Sequence, residues 1–341
     1  MASVQKHGCH TARWSPTADP SAAPANSQGS AVTAIASSTA VSARARARRR
    51  NRLHRIPLLP ALLFVVVVTQ VPFLLTVYYS LESYNLYHPD TRHFAGLQNY
   101  RAIFEDSIFR TALVNTVILT AAPVLLSLTI GLFIALLLDR KVFGRGLLRT
   151  LIISPFLVMP AAAALVWKFT MLDTQFGLIN FILQPFGVDH TDWINSYPKT
   201  TITAVLTWQW TPFMVLILLA GLQSQPAEVL EAAKVDGANG WQIFRSMTLP
   251  HLRPYMELGI VLGAIYLVQA FDAIFMITSG GPGQQTTNIP YYLYETAFRA
   301  FDIGRASAMG VVVVIATIII ATLALRTISG LFSDEGMKGR L

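Results

Sequence analysis

Six apolar runs, each close to the length needed to cross a bilayer, limit what this chain can fold into. They lie at Ile56–Ser80, Thr111–Leu138, Leu147–Thr170, Thr200–Leu222, Met256–Ser279 and Gly310–Gly330. A helix needs roughly 20 apolar residues to cross about 30 Å of hydrocarbon. In that medium each backbone N–H and C=O must find its partner within the segment, which a helix provides. "LLSLTIGLFIALLL" in the second run and "MGVVVVIATIIIATLAL" around the start of the sixth are the cleanest stretches. The fourth is interrupted by Trp208, Gln209, Trp210, Thr211 and Pro212. Pro72, Pro123, Pro155, Pro160 and Pro212 fall within runs, a placement membrane helices tolerate better than soluble ones. Charged residues make up only 13% of the chain, against about 25% in a soluble domain. A soluble protein with six such buried helices is excluded. The expected fold is all-α: a polytopic membrane domain of six transmembrane helices over 56–330, with a tail at 1–55 and a short tail at 331–341.

Orientation follows from where Lys and Arg fall. With the N-terminus in the cytoplasm, the inside segments carry seventeen Lys and Arg and the outside loops six. Both termini are therefore expected in the cytoplasm. Most of the net charge of +8 sits in the Arg cluster before the first run, "ARARARRRNRLHR". Each basic residue there gains about 1 kcal/mol near anionic lipid, so membrane lipid rather than nucleic acid is its expected partner. Residues 1–50 are rich in Ala, Ser, Thr and Pro with almost no long aliphatics. They cannot bury a core and are expected to be disordered; the same composition suits an organelle transit peptide. Cys9 follows Gly8 as in a lipoprotein signal but lacks the apolar run before it. A single cysteine also excludes an internal disulfide framework and a multi-cysteine metal site.

No phosphate-binding glycine loop is present: "FGRGLLRT" at 143–150 has no Lys in the cradling place. Neither H-E-x-x-H, G-x-S-x-G nor zinc-like His/Cys spacing occurs. No catalytic role, no metal and no bound cofactor are expected, and energy for any uphill transport must come from an ion or another polypeptide.

The loop from Gln223 to Tyr255 is far longer than the turn Asp139–Gly146 between the second and third runs. Ser224, Gln225 and Pro226 read as a helix start, with Pro in the first turn. Glu228 and Glu231 come early and Lys234 late, as the helix dipole favours. Gly237, and then Asn239–Gly240, are breakers able to take positive φ. "WQIFRSM" follows as a second short amphipathic stretch, with Trp241, Phe244 and Met247 three apart, and Leu249–Pro250 is expected to end it. The pattern is a compact knob of two short helices. Its small residues suit close approach to a groove in another protein; an amphipathic pair lying on the bilayer fits equally well.

The pattern E-A-A, three residues, G, nine residues, an apolar residue, one residue, L-P resembles that of the inner-membrane permeases of binding-protein-dependent ABC importers. Here it comprises Glu231, Ala232, Ala233, Gly237, Met247, Leu249 and Pro250, with Asp236 and Ala238 flanking the glycine. Met247 stands where Ile is usual, a volume-conserving change. Further pieces resemble the carbohydrate branch, that of maltose, glycerol-phosphate and polyol permeases: "GLQNY" (Gly96–Tyr100), "NT" (Asn115–Thr116), "TSGGPG" (Thr278–Gly283) and "IGRASAMG" (Ile303–Gly310). The resemblance covers about Pro57 to Leu331. It implies the MetI-like permease fold and a bacterial plasma-membrane location. It also implies a second, homologous permease subunit and two ATPase subunits, which use ATP and Mg and dock on Glu231, Ala232, Ala233, Asp236, Gly237, Leu249 and Pro250. An extracytoplasmic solute-binding protein would deliver a sugar or polyol.

Polar residues within spans face a cavity or a partner helix. Tyr266, Gln269 and Asp272 are spaced three apart in the fifth run, and Trp208, Gln209 and Trp210 precede Pro212 in the fourth. Together they offer the amide, carboxylate and aromatic groups that bind carbohydrate. Interhelical hydrogen bonding explains Gln209 and Asp272 as well. Lys168 is expected to snorkel to the interface. Two other readings remain at this stage: an ion-coupled secondary transporter with Asp272 as the carrier, and a membrane scaffold that docks a partner through the knob.

Overall fold

The computed structural model describes residues 58–140, 144–187 and 190–338. The Arg-rich tail expected to be disordered lies outside them. The first helix, α1 (Leu58–Ser80), is apolar all round and contains Pro72. A division of the chain into two units falls within this helix, between Val71 and Pro72.

After α1 a short ribbon pairs β1 (Glu82–Ser83) with β2 (His93–Phe94). It leads into α2 (Gln98–Glu105) and the long α3 (Ser107–Asp139). Asp106 starts α3 by accepting the N–H of Ile108 at 2.8 Å, which places the start four residues before the expected Thr111. The third expected span is broken. Helix α4 (Arg145–Leu157) and the stretch from α5 (Pro160–Val166) through a π-turn at Trp167–Met171 differ in direction by 100°. Pro160 supplies no N–H and forces the residue before it to be extended, and Met159 has φ −54° and ψ 129°. Short helices α6 (Leu178–Leu183) and α7 (Trp193–Ser196) follow, then α8 (Pro198–Gln223). Pro212 does not interrupt α8.

Two short helices, α9 (Ala227–Val235) and α10 (Gly240–Ile243), lead through a π-turn at Phe244–Thr248 into α11 (Leu249–Leu267). The fifth expected span also departs from one helix. It stops at Leu267, runs irregularly to Phe271 and ends in a third π-turn, Ile274–Thr278. The last helices are α12 (Ile289–Phe298) and α13 (Ile303–Lys338), the latter running past the expected boundary at 330. Four described helices are long and apolar enough to cross a membrane, five if the bent pair counts as one span.

Within Pro72–Leu341 the core forms around α3, α8 and α11, and its centre is Met214, which is fully buried. A Cβ on Gly131 of α3 would stand 2.8 Å from Met214 Cβ. On Gly259 and Gly263 of α11 it would meet the Met214 sulfur and methyl at 3.0 and 2.7 Å. Three glycines on two helices therefore receive one side chain of α8. Lipid offers no hydrophobic drive to bring helices together, so such close van der Waals packing carries the association.

Candidate functional site

The knob between α8 and α11 is built by its two caps. Helix α9 ends in a Schellman arrangement. Gly237 sits at φ +83°, its N–H bonds Lys234 O at 3.1 Å, and the Ala238 N–H bonds Ala233 O at 3.0 Å. Asn239 then opens α10 with a capping box. Its side-chain oxygen accepts the Gln242 N–H at 2.9 Å, and the Gln242 side chain accepts the Asn239 N–H at 2.8 Å. Gly240 is thus the first residue of a helix and not a positive-φ breaker; the cap is Asn239, which ends the turn without left-handed backbone. Trp241 and Phe244 pack with ring centres 5.6 Å apart. Leu249–Pro250 does not end this stretch either. The widened π-turn already breaks the bonding register there, so Pro250 enters the first turn of α11.

Glu231, Ala232, Asp236, Gly237 and Pro250 are exposed, and Leu249 is half-buried. Ala233 is 3% exposed and packs inside the knob, so it supports the surface and does not form it. Val235, 87% exposed, and Trp241, 67%, add apolar area beside the exposed acids. The base of the knob holds contacts that the sequence did not reveal. Ser224 Oγ lies 2.8 Å from Gly221 O, 3.0 Å from His251 Nε2 and 2.9 Å from the Tyr255 hydroxyl.

The intramembrane residues divide into separate groups. Trp210 and Tyr266, from α8 and α11, come together with ring centres 5.5 Å apart. Phe156 joins them, 5.7 Å from Trp210 and stacked on Phe213. Trp208 faces away, edge-on to Trp167 at 5.5 Å, and lines a cavity of about 510 Å³ with Pro155, Thr207 and Thr211. Gln209 is buried. Successive helical positions are about 100° apart, so these three neighbours cannot share a face. Gln269 is exposed, just past the end of α11, and its amide donates back to Ile265 O in the last turn of that helix at 3.1 Å. Asp272 lies half-buried beyond the break after Leu267. No helical period runs through Val268–Phe271, so the three-residue spacing of Tyr266, Gln269 and Asp272 does not by itself set them on one face.

At the end away from the knob, the sequence pieces noted earlier meet in pairs. Asn115 donates from α3 to Gln284 O and Thr287 O at 3.0 and 2.9 Å, and Thr116 accepts the Ile289 N–H at 2.9 Å. These bonds hold the loop that begins with Thr278–Gly283. Ser279, Gly280 and Gly283 have positive φ in that loop, and Asn288 reaches back to Ala270 O in the break of the fifth span. Likewise Asn99 donates to Ser80 O and Glu82 O, while a Cβ on Gly304 would stand 2.4 Å from Glu82 O. Lys168 turns inward, donating to Met276 O at 2.9 Å, and so joins the π-turns of the third and fifth spans. Tyr292 donates to Asp106; burial first, and then that hydrogen bond, push its hydroxyl pKa up and keep the proton in place.

Residues 127–332 match the family described as "Binding-protein-dependent transport system inner membrane component". The chain is 37% identical over 274 residues to a probable ABC transporter permease protein of Sinorhizobium fredii, covering 78% of this chain and 88% of that one. It is 34% identical to the permease protein of the trehalose/maltose transport system of Thermococcus litoralis, covering 77% and 89%. Identity is 32% to the permease protein of the sulfoquinovosyl glycerol transport system of Agrobacterium fabrum, covering 82% and 91%. Among solved structures, a bacterial ABC transporter that imports the acidic polysaccharide alginate shares the fold, with a TM-score of 0.70 at 21% identity. It covers 82% of this chain and 96% of that one.

Proposed function

Because this chain belongs to the inner membrane components of binding-protein-dependent transport systems, we propose that it forms half of the pathway through which a sugar or polyol enters the cell. The observation that carries this reading is the knob: a doubly capped, rigid hairpin with exposed Glu231, Ala232, Asp236 and Gly237. Two ATPase subunits receive such knobs, one from this chain and one from a second, homologous permease subunit. ATP and Mg are bound and used on the ATPases, and this chain contributes no nucleotide site. The excess of Lys and Arg on one side supports a cytoplasmic knob and cytoplasmic termini. A binding protein delivers solute at the opposite face.

The named relatives that carry trehalose, maltose and sulfoquinovosyl glycerol support a carbohydrate-like solute. So does the pathway chemistry. Trp210 and Tyr266 present aromatic faces to sugar C–H groups, while Asp272 and Gln269 offer hydrogen-bond partners for hydroxyls. Trp208 and Gln209, which face elsewhere, act in helix packing. The test is ATP-dependent uptake of labelled trehalose and sorbitol by the assembled importer carrying Glu231→Lys. Uptake lost with the subunit still in the membrane supports the reading; normal uptake removes it.

A further inference from the structure

The knob has two legs of different stiffness. On one side α10 passes through the π-turn at Phe244–Thr248 into α11 without a gap. On the other, the chain bends at Ser224–Pro226 between α8 and α9. A bend of this kind would act as a hinge, and a push on the knob would be absorbed there. Four residues close that hinge. The Tyr255 ring lies on the backbone of Gly221, where a Cβ would stand 2.7 Å from Tyr255 Cγ and 2.9 Å from Leu252 Cδ2. One turn on, Ser224 is the hub.

The protons can be placed by counting. A serine hydroxyl donates once and accepts twice. Ser224 donates to Gly221 O at 2.8 Å and accepts from the Tyr255 hydroxyl at 2.9 Å. His251 Nε2 faces both Ser224 Oγ at 3.0 Å and Gly221 O at 3.2 Å. A bare ring nitrogen would repel the carbonyl, so the geometry assigns the proton to Nε2, which donates. Ser224 is then fully satisfied, and the last turn of α8 is tied to the first two turns of α11.

We propose that Gly221, Ser224, His251 and Tyr255 form a clasp that makes the knob, the end of α8 and the start of α11 move as one lever. Tyr255, Ser224 and His251 are thus positioning residues for energy coupling. The proposal rests on the reading that the knob docks on an ATPase. It explains why a hairpin attached through a flexible-looking Ser-Gln-Pro segment delivers displacement to the two helices that carry Trp210 and Tyr266.

The experiment uses the assembled importer in lipid, with Cys9, the one native cysteine, replaced by Ser. Spin labels at the exposed Val229 and Leu258 report the knob-to-α11 distance, and ATP hydrolysed per labelled trehalose moved reports coupling. Tyr255→Phe keeps the ring on Gly221 and removes only the hydroxyl; Ser224→Ala removes the hub; Ser224→Thr keeps a hydroxyl. The Phe and Ala variants should broaden the distance distribution; Phe should raise ATP used per sugar about five-fold, the factor one ordinary hydrogen bond contributes to an equilibrium, and Ala, which loses more than one bond, by at least as much. Ser224→Thr should restore both. If the Phe and Ala variants match the parent while Glu231→Lys uncouples, the clasp is overturned and the docking reading stands. If Glu231→Lys also couples normally, docking falls and the clasp with it.

Discussion

Gly237 separates two explanations of the knob, because its surroundings make them predict opposite orders of damage. The residue sits at φ +83°, and a Cβ built there would meet nothing within 4 Å. No neighbour within the chain therefore resists a side chain, and the only internal cost of substitution is backbone. For an L-residue in the left-handed region that cost is roughly 1–2 kcal/mol, and less for Asn, whose short polar side chain bonds locally. If the glycine serves only the Schellman turn, Gly237→Ala should be worse than Gly237→Asn, with the difference inside about ten-fold in the population of the closed turn. If an ATPase packs against this surface, the larger side chain should be worse. Overpacking a contact costs about 1–3 kcal/mol, which lowers association by about five-fold to more than a hundred-fold. The assay is co-purification of the ATPase with each variant, together with amide protection of Gly237 and Ala238 to read the turn itself. An Asn variant that holds the ATPase as well as the parent, while Ala is impaired, would refute docking at this residue.

Three further outcomes follow from the geometry. Asn115→Ala removes two bonds from α3 to the loop near Thr287 and leaves their carbonyls unpaired, so it should cost about 2–4 kcal/mol; an unchanged thermal midpoint in detergent would contradict this. Gly131→Val would drive a Cβ into Met214 at the crossing of α3 and α8 and should lower the same midpoint by the equivalent of about 1–3 kcal/mol, whereas Gly144→Val, in open space but at positive φ, tests backbone cost alone. The N–H groups of Phe176 and Gln175 hold the Asp173 carboxyl below its ordinary pKa. Its stabilisation is therefore complete above the unfolded value, near 4, and is lost as pH falls through the lower folded value. Protection of those two amides should hold at about pH 5 and drop as the pH falls below about 4, and Asp173→Asn should abolish the drop; a drop of equal size in the Asn variant would defeat the assignment.

The apolar runs made most spans legible, since α1, α3, α8 and the first part of α13 satisfy the length rule directly. What periodicity could not show was where a helix is interrupted while its residues stay apolar. The breaks at Val158–Met159 and Val268–Phe271 and the π-turns at Trp167–Met171 and Ile274–Thr278 lie inside apolar runs, and the isolated Lys168 and Gln269 do not mark where the helix changes. Pro160 was visible in the sequence, yet Pro212 was equally visible and interrupts nothing. The difference lies in tertiary context. Pro212 is buried within the packed α8, whereas the residue before Pro160 is extended. In the knob, Gly237 was readable because positive φ suits glycine. The clasp was not, because Ser224 and Tyr255 are 31 positions apart and only the fold brings them together.

The pieces of sequence that resemble carbohydrate permeases do not touch one another along the chain, but in space they pair. Asn99 of "GLQNY" and Gly304 of "IGRASAMG" both meet the backbone around Glu82. Asn115 of "NT" holds the loop that "TSGGPG" begins. In each pair an amide side chain or a missing Cβ fits backbone, and neither requirement depends on what passes through the protein. Trp210, Tyr266 and Phe156 lie outside all of these pieces, and so does the break that separates Tyr266 from Asp272. A frame specified by backbone contacts can therefore stay fixed while the aromatic cluster between α4, α8 and α11 changes. The motifs mark the family, and on the proposed reading the choice of solute falls to side chains that those motifs do not include.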